Sequence, residues 1–403
     1  MSARNDERKR FSFRNFRRRT LLVVAAAAGT VALTVPALAA LPPFTDGKVS
    51  PFIRGAGSDT TYDVMQNLDK LYNLSPGCNL RVPPAVPQME CDPADQAAAV
   101  RTENYDHEVA TSLFPQGSSA GLRMLCQKND GTAGVYDINY ARSSSGPGSV
   151  PTQCQNANDP LRYVGFAKDA IAIPKWAGGA SGPVTNLTHA QLQEIFRDIS
   201  GDGCTEDWGD FGGTPGTQIM VNGVQTSSGT YAAFQAFIGG DPNTCVAATG
   251  GQILFENACT PINDLPAADK GRAIWWLSFG KYVSGSAECT DAATDLISVG
   301  GVAPTATTIQ NGTYQYNRTV YNVYRRNLPA GTPWALGYIG ENGWICKPNS
   351  LHSKPVGTTG PGQEHAGADR NYGQAIDKVI TDAGFVPVNS TPGANKCTTT
   401  DVN

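Results

Sequence analysis

Four short turns rich in glycine, serine and threonine recur along the chain, most of them between a strand-like segment and a helical one. They lie at 55–61, 117–121, 142–145 and 226–230. The first N–H groups of a helix lack intrahelical partners, and the helix dipole favours negative charge there. An ordinary helix cap explains any one of these turns. Four together predict an α/β fold that collects an anionic ligand at the carboxyl edges of its strands.

The last of these turns has the strongest flanking pattern. An apolar strand-like segment and an Asn222-Gly223 turn precede it, and an amphipathic helix is predicted to follow at 231–238. Ser228 and Thr230 offer hydroxyl donors to a ligand. Gly229, between them, lets an anion approach the backbone.

The first 39 residues have the pattern of a secretory signal peptide. Residues 1–20 are rich in arginine, 21–35 are apolar, and Ala37-Leu38-Ala39 supplies a small-residue cleavage site. The pair Arg18-Arg19 also resembles a twin-arginine signal, so the sequence leaves the export route open. No cysteine follows the apolar run until Cys78, which argues against a lipoprotein. We expect an exported protein of the periplasm, cell envelope or medium.

The charge of the predicted mature chain excludes one broad class of function. Without the leader, Lys plus Arg falls from 31 to 23 and Asp plus Glu falls from 35 to 33. A net charge near −10 does not suit a general binder of nucleic acid or of anionic membranes. Local donors must therefore capture any anion against an unfavourable overall field.

All ten cysteines lie beyond the leader, and an even number in an exported chain predicts up to five disulfides. Spacing favours two local pairs, Cys78–Cys91 and Cys126–Cys154, while the remaining connectivity stays open. The chain has no C-x-x-C pair and only four scattered histidines, so we predict neither a metal site nor a cofactor.

Several longer segments alternate between helical and strand-like patterns, which favours α/β layers. Helical spacing predicts helices at 62–72, 122–126, 189–196 and 372–383, the third with a capping box that begins at Thr188. Apolar runs predict strands at 135–140, 164–173 and 273–279. The Pro-rich stretch 74–100 is predicted to be an irregular insertion.

Taken in order, these segments resemble the phosphate-binding proteins of ATP-driven phosphate uptake systems, a family of the periplasmic binding-protein class. The resemblance covers about residues 50–390 and depends on the order of the motifs. The motifs are Gly55-Ala56-Gly57-Ser58-Asp59-Thr60, Gly117-Ser118-Ser119-Ala120-Gly121, Gly165-Phe166-Ala167-Lys168-Asp169-Ala170, Asn186-Leu187-Thr188 through Trp208, Ser228-Gly229-Thr230, Ala273-Ile274-Trp275-Trp276-Leu277-Ser278-Phe279 and Gly312-Thr313-Tyr314-Gln315-Tyr316-Asn317-Arg318.

The resemblance implies a two-lobed α/β fold of the type II periplasmic-binding-protein kind, with lobes joined by two crossing strands. Lobe 1 would comprise 48–165 and 282–398, and lobe 2 would comprise 166–281. The lobes would close by a hinge on inorganic phosphate or a similar oxyanion. The protein would be a monomer without catalytic residues that delivers its ligand to an ABC transporter permease.

The resemblance also implies a ligand-binding set. Ser118, Ser228, Gly229 and Thr230 match ligand-contacting positions of the family directly. Asp59 stands where the family has a ligand threonine, so Ser58 or Thr60 would supply the hydroxyl of that loop. The full predicted set is Ser58, Asp59, Thr60, Ser118, Ser119, Arg142, Ser143, Ser228, Gly229 and Thr230.

Two departures from the family pattern concern charge. Val224 stands where the family places an arginine, and no Lys or Arg occurs between Arg197 and Lys270. The run Ala141 to Ser144 lacks the aspartate that accepts the proton of monohydrogen phosphate in the family. Arg142 either supplies the missing positive charge from another loop or is a surface arginine paired with a carboxylate.

Three alternatives therefore stay open. The chain binds a different oxyanion, or it is an envelope protein of the same fold that has lost its ligand. The third alternative is a serine hydrolase, because residues 117–121 also fit G-x-S-x-G with Ser119 as nucleophile. Pro115 precedes that motif where a nucleophile elbow requires a strand, which disfavours the hydrolase.

Overall fold

The computed structural model describes residues 52–74, 101–104, 117–126, 138–155, 160–256, 258, 260–284, 293–326, 333–347, 371–391 and 393–402. The chain divides into a unit at 1–42 and a unit at 43–403, and all described residues belong to the second. The predicted signal peptide, residues 75–100 of the insertion predicted at 74–100, and the Cys78–Cys91 pair lie outside the described residues, whereas Leu74 ends α1.

Sixteen strands and ten α-helices are found in the described part of the chain. The strands are β1 (Phe52–Gly57), β2 (Arg101–Asn104), β3 (Tyr140–Ser143), β4 (Leu161–Ala172), β5 (Pro174–Trp176), β6 (Asn186–Leu187), β7 (Met220–Val221), β8 (Gly223–Val224), β9 (Ile253–Leu254), β10 (Ala273–Ile274), β11 (Leu277–Ser278), β12 (Thr294–Leu296), β13 (Ser298–Val299), β14 (Asn317–Arg325), β15 (Val386–Pro387) and β16 (Thr398–Val402). The helices are α1 (Tyr62–Leu74), α2 (Ser118–Cys126), α3 (His189–Arg197), α4 (Gly229–Ile238), α5 (Thr260–Asn263), α6 (Ala267–Lys270), α7 (Phe279–Val283), α8 (Ala306–Gln310), α9 (Pro333–Ile339) and α10 (Tyr372–Asp382).

The larger sheet has eight strands and mixes parallel with antiparallel neighbours. Its main path runs β11-β4-β14-β3-β1-β2, and β15 and β16 also pair with β4. Strand β1 is parallel to both β2 and β3, whereas β14 runs antiparallel to β3 and β4. The parallel pair β1 and β3 therefore sends the chain out at one edge, where ligand loops collect in α/β folds.

The smaller sheet has four strands in the order β12-β5-β10-β7. The chain passes from the larger to the smaller sheet where β4 leads through Ile173 into β5. It returns where β10 leads through Trp275 and Trp276 into β11, which pairs with β4. The two-lobed α/β architecture with two crossing strands is thus confirmed, while the residue boundaries proposed for the lobes stay a prediction.

Among the described residues, the buried hydrophobic side chains form three clusters, the first of which packs on the larger sheet. Helices α1 and α10 cover the larger sheet, and α1 buries Val64, Leu68 and Leu71 at the spacing that the sequence predicted. The second core surrounds Phe234 and Trp276, whose ring centroids lie 4.8 Å apart. Burial of these apolar faces supplies most of the driving force for folding each part of the molecule.

Most of the predicted elements are found, including the capping box of Thr188 with Gln191 at the start of α3. Three details differ. Gly223 does not form a turn, because β8 pairs in parallel with β9. Strand β3 continues through Ser143, so the cluster at 142–145 lies partly within the strand. The segment 273–279 forms two strands in different sheets rather than one strand.

Disulfides close three loops in the described residues. The predicted Cys126–Cys154 pair is confirmed, and it joins α2 to the segment that follows β3. The other two bonds are Cys204–Cys245 and Cys346–Cys397, which spacing alone did not predict. Within the same part of the chain, no helix is both long enough and apolar enough to cross a bilayer.

A buried ion pair joins the elements where the chain passes between the two sheets. Asp169 of β4 accepts two hydrogen bonds from the guanidinium of Arg318 on β14, at 2.7 and 3.0 Å. Its other oxygen accepts from Ser278 Oγ and from Gly280 N, both at 3.0 Å. One carboxylate therefore holds the start of α7, directly after the second crossing, against the first crossing strand.

We expect Asp169→Asn to destabilise the protein by about 3 kcal/mol, because breaking a buried pair leaves an uncompensated charge. The amide oxygen can still accept from Ser278, but the amide group cannot pair with Arg318. Urea unfolding followed by circular dichroism measures the change. Asp382→Asn is the matched control, since it breaks the partly exposed pair with Lys378 and should cost about 1 kcal/mol or less. Equal losses in the two variants would contradict the role assigned to Asp169.

Candidate functional site

The parallel pairing of β1 and β3 brings two of the hydroxyl-rich turns together. Gly57 lies opposite Arg142 in the register, so the residues that follow both strands leave the sheet at the same edge. Ser58 N donates to Arg142 O at 3.1 Å, and Ser58 Oγ lies 2.9 Å from Ser144 Oγ. Both serines are fully buried.

The third turn joins this pair through the start of α2. Ser118 Oγ accepts a hydrogen bond from Ser144 N at 3.0 Å and lies 3.3 Å from Ser144 Oγ. A Cβ atom added to Gly121 would lie 2.6 Å from the Cα of Gly57. The glycine therefore lets α2 pack directly on the end of β1.

The fourth turn approaches from α4. Ser228 is the N-cap of this helix, and its Oγ accepts from Thr230 N and Tyr231 N at 2.9 and 3.3 Å. Thr230 Oγ1 lies 3.1 Å from Thr60 Oγ1 of the first turn. A Cβ atom on Gly229 would lie 2.2 Å from Ser118 Oγ and 2.4 Å from Ser144 Oγ. Only a glycine allows this helix terminus to meet the other three turns.

A carboxylate lies at the centre of these hydroxyls. Glu256 Oε1 accepts from Thr230 Oγ1 at 2.9 Å, from Ser144 Oγ at 3.0 Å and from Ser58 Oγ at 3.3 Å. Thr60 Oγ1 donates to the same oxygen. The four donors come from three of the predicted turns, and their convergence on one point defines the candidate site. We call these donors, Ser58, Thr60, Ser144 and Thr230, the hydroxyl ring.

Positive charge reaches the hydroxyl ring from Arg318. Its Nη2 donates to Thr230 Oγ1 and its Nη1 donates to Ser144 O, both at 3.1 Å. The same guanidinium is paired with Asp169, so the charge that it brings is largely compensated. This residue ends the motif at 312–318, but we did not predict it as a site residue from the sequence.

Arg142 supports the hydroxyl ring from behind. Its guanidinium donates to the backbone oxygens of Ser58 and Gly55 at 3.0 and 3.2 Å and lies over the ring of Tyr62. Burial lowers the pKa of this guanidinium below its ordinary value. Arg142 is fully buried rather than a surface arginine. Its hydrogen bonds to Ser58 O and Gly55 O fix the backbone of the first turn.

Three other predicted residues are next to site residues in the sequence. Asp59 is buried, and its charge acts on Arg142. Ser143 Oγ bonds within its own turn, to Ser145 O at 2.9 Å. Ser119 is half-buried on α2.

Sequence reasoning missed Ser144, Glu256 and Arg318. Ser144 belongs to a turn that the sequence did identify, so the error there was one of register along β3. Glu256 follows the short apolar run Ile253-Leu254-Phe255, which we did not predict as a strand, and no functional motif marked it.

The described contacts give the serine-hydrolase alternative no support. A serine nucleophile requires a base within hydrogen-bonding reach. His189 is the one histidine in the described part of the chain, and its Nδ1 lies 2.9 Å from Tyr316 Oη. No hydrogen bond joins Ser119 to a histidine within those residues.

One group of possible metal ligands is found among the described residues. Glu194, Asp202 and Glu206 place one carboxylate oxygen each within 4.8 Å of one another. Burial raises the pKa of Glu206 to about 7, and the charges of Asp202, Glu194 and Asp198 act in the same direction. Acidic clusters are common without an ion, so we assign no metal to this group.

Comparison with known proteins identifies the family and the fold. A family model described as the PBP superfamily domain matches residues 91–341, whereas no curated protein matches significantly. The ancestral soluble variant of the Human Phosphate Binding Protein is 15% identical, with 84% of this chain and 91% of that chain covered at a TM-score of 0.51.

Two further solved structures cover similar shares of the chain. An ABC-type phosphate transport receptor from Vibrio cholerae is 19% identical, with 83% of this chain and 99% of that one covered at a TM-score of 0.48. A putative phosphate ABC transporter substrate-binding protein from Clostridium perfringens, solved with bound phosphate, is 20% identical over 72% of this chain and 95% of that one at a TM-score of 0.47. At an identity of 15%, the likeness to the soluble variant of the Human Phosphate Binding Protein concerns the fold alone.

The raised pKa of Glu206 predicts a pH dependence of stability. The folded state binds this proton more tightly than the unfolded state, whose pKa is near the ordinary value of 4.5. Stability is therefore lost as pH rises from about 4.5 through about 7. We expect Glu206→Gln to have a higher Tm than the unmodified protein at pH 8 and a similar Tm at pH 5. Asp264→Asn, at an exposed carboxylate, is the control and should show no such pH-dependent gain. A constant Tm difference for Glu206→Gln across this range would refute the prediction.

Proposed function

The chain belongs to the PBP superfamily, and we propose that it is an exported solute-binding protein that captures inorganic phosphate between its two lobes. The observation that carries the proposal is the convergence of the hydroxyl ring on the position of Glu256 Oε1. Four hydroxyl donors directed at one oxygen atom are a binding arrangement for an oxygen-bearing anion.

Phosphate suits this donor set better than a fully deprotonated oxyanion. A hydroxyl can donate to a phosphate oxygen and can also accept from the proton that phosphate retains near neutral pH. The backbone at the start of α4 adds the positive end of a helix dipole. The soluble variant that shares the fold carries phosphate in its name, which agrees with this choice.

The origin of the donors supports capture between two lobes. Ser58, Thr60 and Ser144 follow strands of the larger sheet, whereas Thr230 belongs to α4, which follows β7 of the smaller sheet and β8. A ligand held by both groups would link the two parts of the molecule, as hinge closure requires. The proposal includes delivery of the ligand by a monomeric protein to an ABC transporter permease, as the family resemblance implies.

A second candidate function is an envelope protein that keeps this fold without binding a solute. Two observations favour it. Val224, at the position of the family arginine, is buried in β8. Arg318 is already paired with Asp169, and Glu256 already occupies the hydroxyl ring.

Thermal unfolding with a panel of anions separates the two candidates. A ligand that binds only the folded state stabilises it by about 2.7 kcal/mol at a hundredfold excess over its Kd. We expect phosphate to raise the Tm of the purified, oxidised protein more than sulfate or molybdate does, with arsenate close to phosphate. A rise with a different anion alone would change the assigned ligand. No rise with any anion at millimolar concentration would favour the ligand-free envelope protein.

Gly229→Ala tests the location of the site. The added methyl group would enter the space between Ser118 Oγ and Ser144 Oγ, at 2.2 and 2.4 Å. We expect phosphate affinity to fall by roughly tenfold to a hundredfold, the range that overpacking by one methyl group implies. Isothermal titration calorimetry measures the Kd, and a melting curve checks that the variant folds.

Gly178→Ala is the matched control, because a Cβ atom at this exposed glycine meets nothing within 4 Å. It should leave the Kd unchanged. Unchanged phosphate affinity in a folded Gly229→Ala variant would place the site away from the start of α4.

A further inference from the structure

Glu256 reaches the hydroxyl ring from a short segment that follows β9. Strand β9 is fixed by its parallel pairing with β8, and Gln225 N donates to Leu254 O at 2.9 Å. The next residue, Phe255, has 58% of its surface exposed, whereas Glu256 is only 4% exposed. The chain therefore turns a charged side chain inward and leaves a large apolar one in solvent. This reverses the usual preference of both residue types.

The contacts of Glu256 are those of a bound anion. Its Oε1 accepts from all four hydroxyls of the ring, and its Oε2 is buried without a hydrogen-bond partner in the described residues. No lysine or arginine forms an ion pair with Glu256 within the described part of the chain. A buried carboxylate is costly unless hydrogen bonds replace its hydration shell. Here four neutral hydroxyls replace the hydration of one carboxylate oxygen, Oε1.

Glu256 also links the same elements that a captured solute would link. Three of its donors follow strands of the larger sheet, and the fourth, Thr230, belongs to α4. The hydroxyls of the ring thus have a charged acceptor without any solute.

We propose that Glu256 is an internal ligand: its carboxylate occupies the anion site, and an incoming oxyanion binds by displacing it. This inference depends on the proposed function, since it concerns the affinity of that same site. The carboxylate weakens binding in two ways. It uses the hydrogens that the solute needs, and it would repel an anion that entered beside it. Glu256 therefore lowers the affinity of the site for a solute.

Two variants and two anions test this role. Glu256→Ala removes the competing group, so we expect the Kd for inorganic phosphate to fall by about tenfold or more, given the strength of hydrogen bonds to a charged group. The Kd for sulfate should fall as well, because displacement does not depend on a proton carried by the anion. Glu256→Gln keeps the size and one acceptor oxygen but removes the charge, so its Kd values should lie between those of Glu256→Ala and the unmodified protein.

Isothermal titration calorimetry of the purified, oxidised protein and each variant gives the Kd values, with circular dichroism melts to check folding. Asp264→Ala is the matched control, because it removes an exposed carboxylate and changes the net charge equally. A gain of affinity in that variant of the same size would assign the effect to overall charge and overturn the proposal. If Glu256→Ala does not fold, Glu256→Gln carries the test, and a Kd equal to that of the unmodified protein overturns the proposal.

Phosphate and sulfate binding by the protein and its variants distinguishes failure of this inference from failure of the proposed function. Weaker phosphate binding in both Glu256 variants, with phosphate bound by the unmodified protein, would make Glu256 a contact to the bound anion. That result overturns displacement and leaves the proposed function intact. If neither the protein nor either variant binds phosphate or sulfate, both proposals are overturned.

Discussion

The pairing of Asp169 with Arg318 is the interaction on which the rest of the arrangement depends. Asp169 lies on the strand that leads out of the larger sheet, and it also holds the residues directly after the returning strand. Arg318, fixed by this pair, donates to both Thr230 and Ser144. A single buried carboxylate thus couples the crossing of the chain to the geometry of the site. Burying such a pair costs free energy. The four hydrogen bonds that Asp169 accepts offset that cost.

The site itself is built from small residues more than from charges. Gly57 has a φ of +124°, and a Cβ atom there would lie 2.5 Å from Arg142 O. Together with Gly229, it lets three backbone segments approach closely enough for their hydroxyls to share one acceptor. Little uncompensated positive charge faces the hydroxyl ring, because Arg318 is paired with Asp169 and Arg142 donates to backbone oxygens behind the ring. An anion bound there would depend on hydrogen bonds and on the helix dipole of α4.

Glu256 gives the hydroxyl ring an acceptor that belongs to the chain itself. A ring of hydroxyls without an acceptor would leave buried donors unsatisfied, which is unfavourable in a protein interior. The carboxylate satisfies them. The departures from the family pattern, Val224 and the missing aspartate, thus occur in a chain whose own carboxylate fills the hydroxyl ring.

The sequence by itself determined the α/β class, the helices with strong periodicity and the loops that carry Ser58, Ser118 and Thr230. These depend on local spacing and on glycine and hydroxyl content, which are readable along the chain. Only the tertiary structure decided which donors share an acceptor, because Ser144 and Arg318 are positioned by the register of β3 and β14 with their neighbours. Glu256 shows the same limit most clearly. It lies 196 residues from Thr60 in the chain, and no local pattern encodes a contact between segments that only folding brings together.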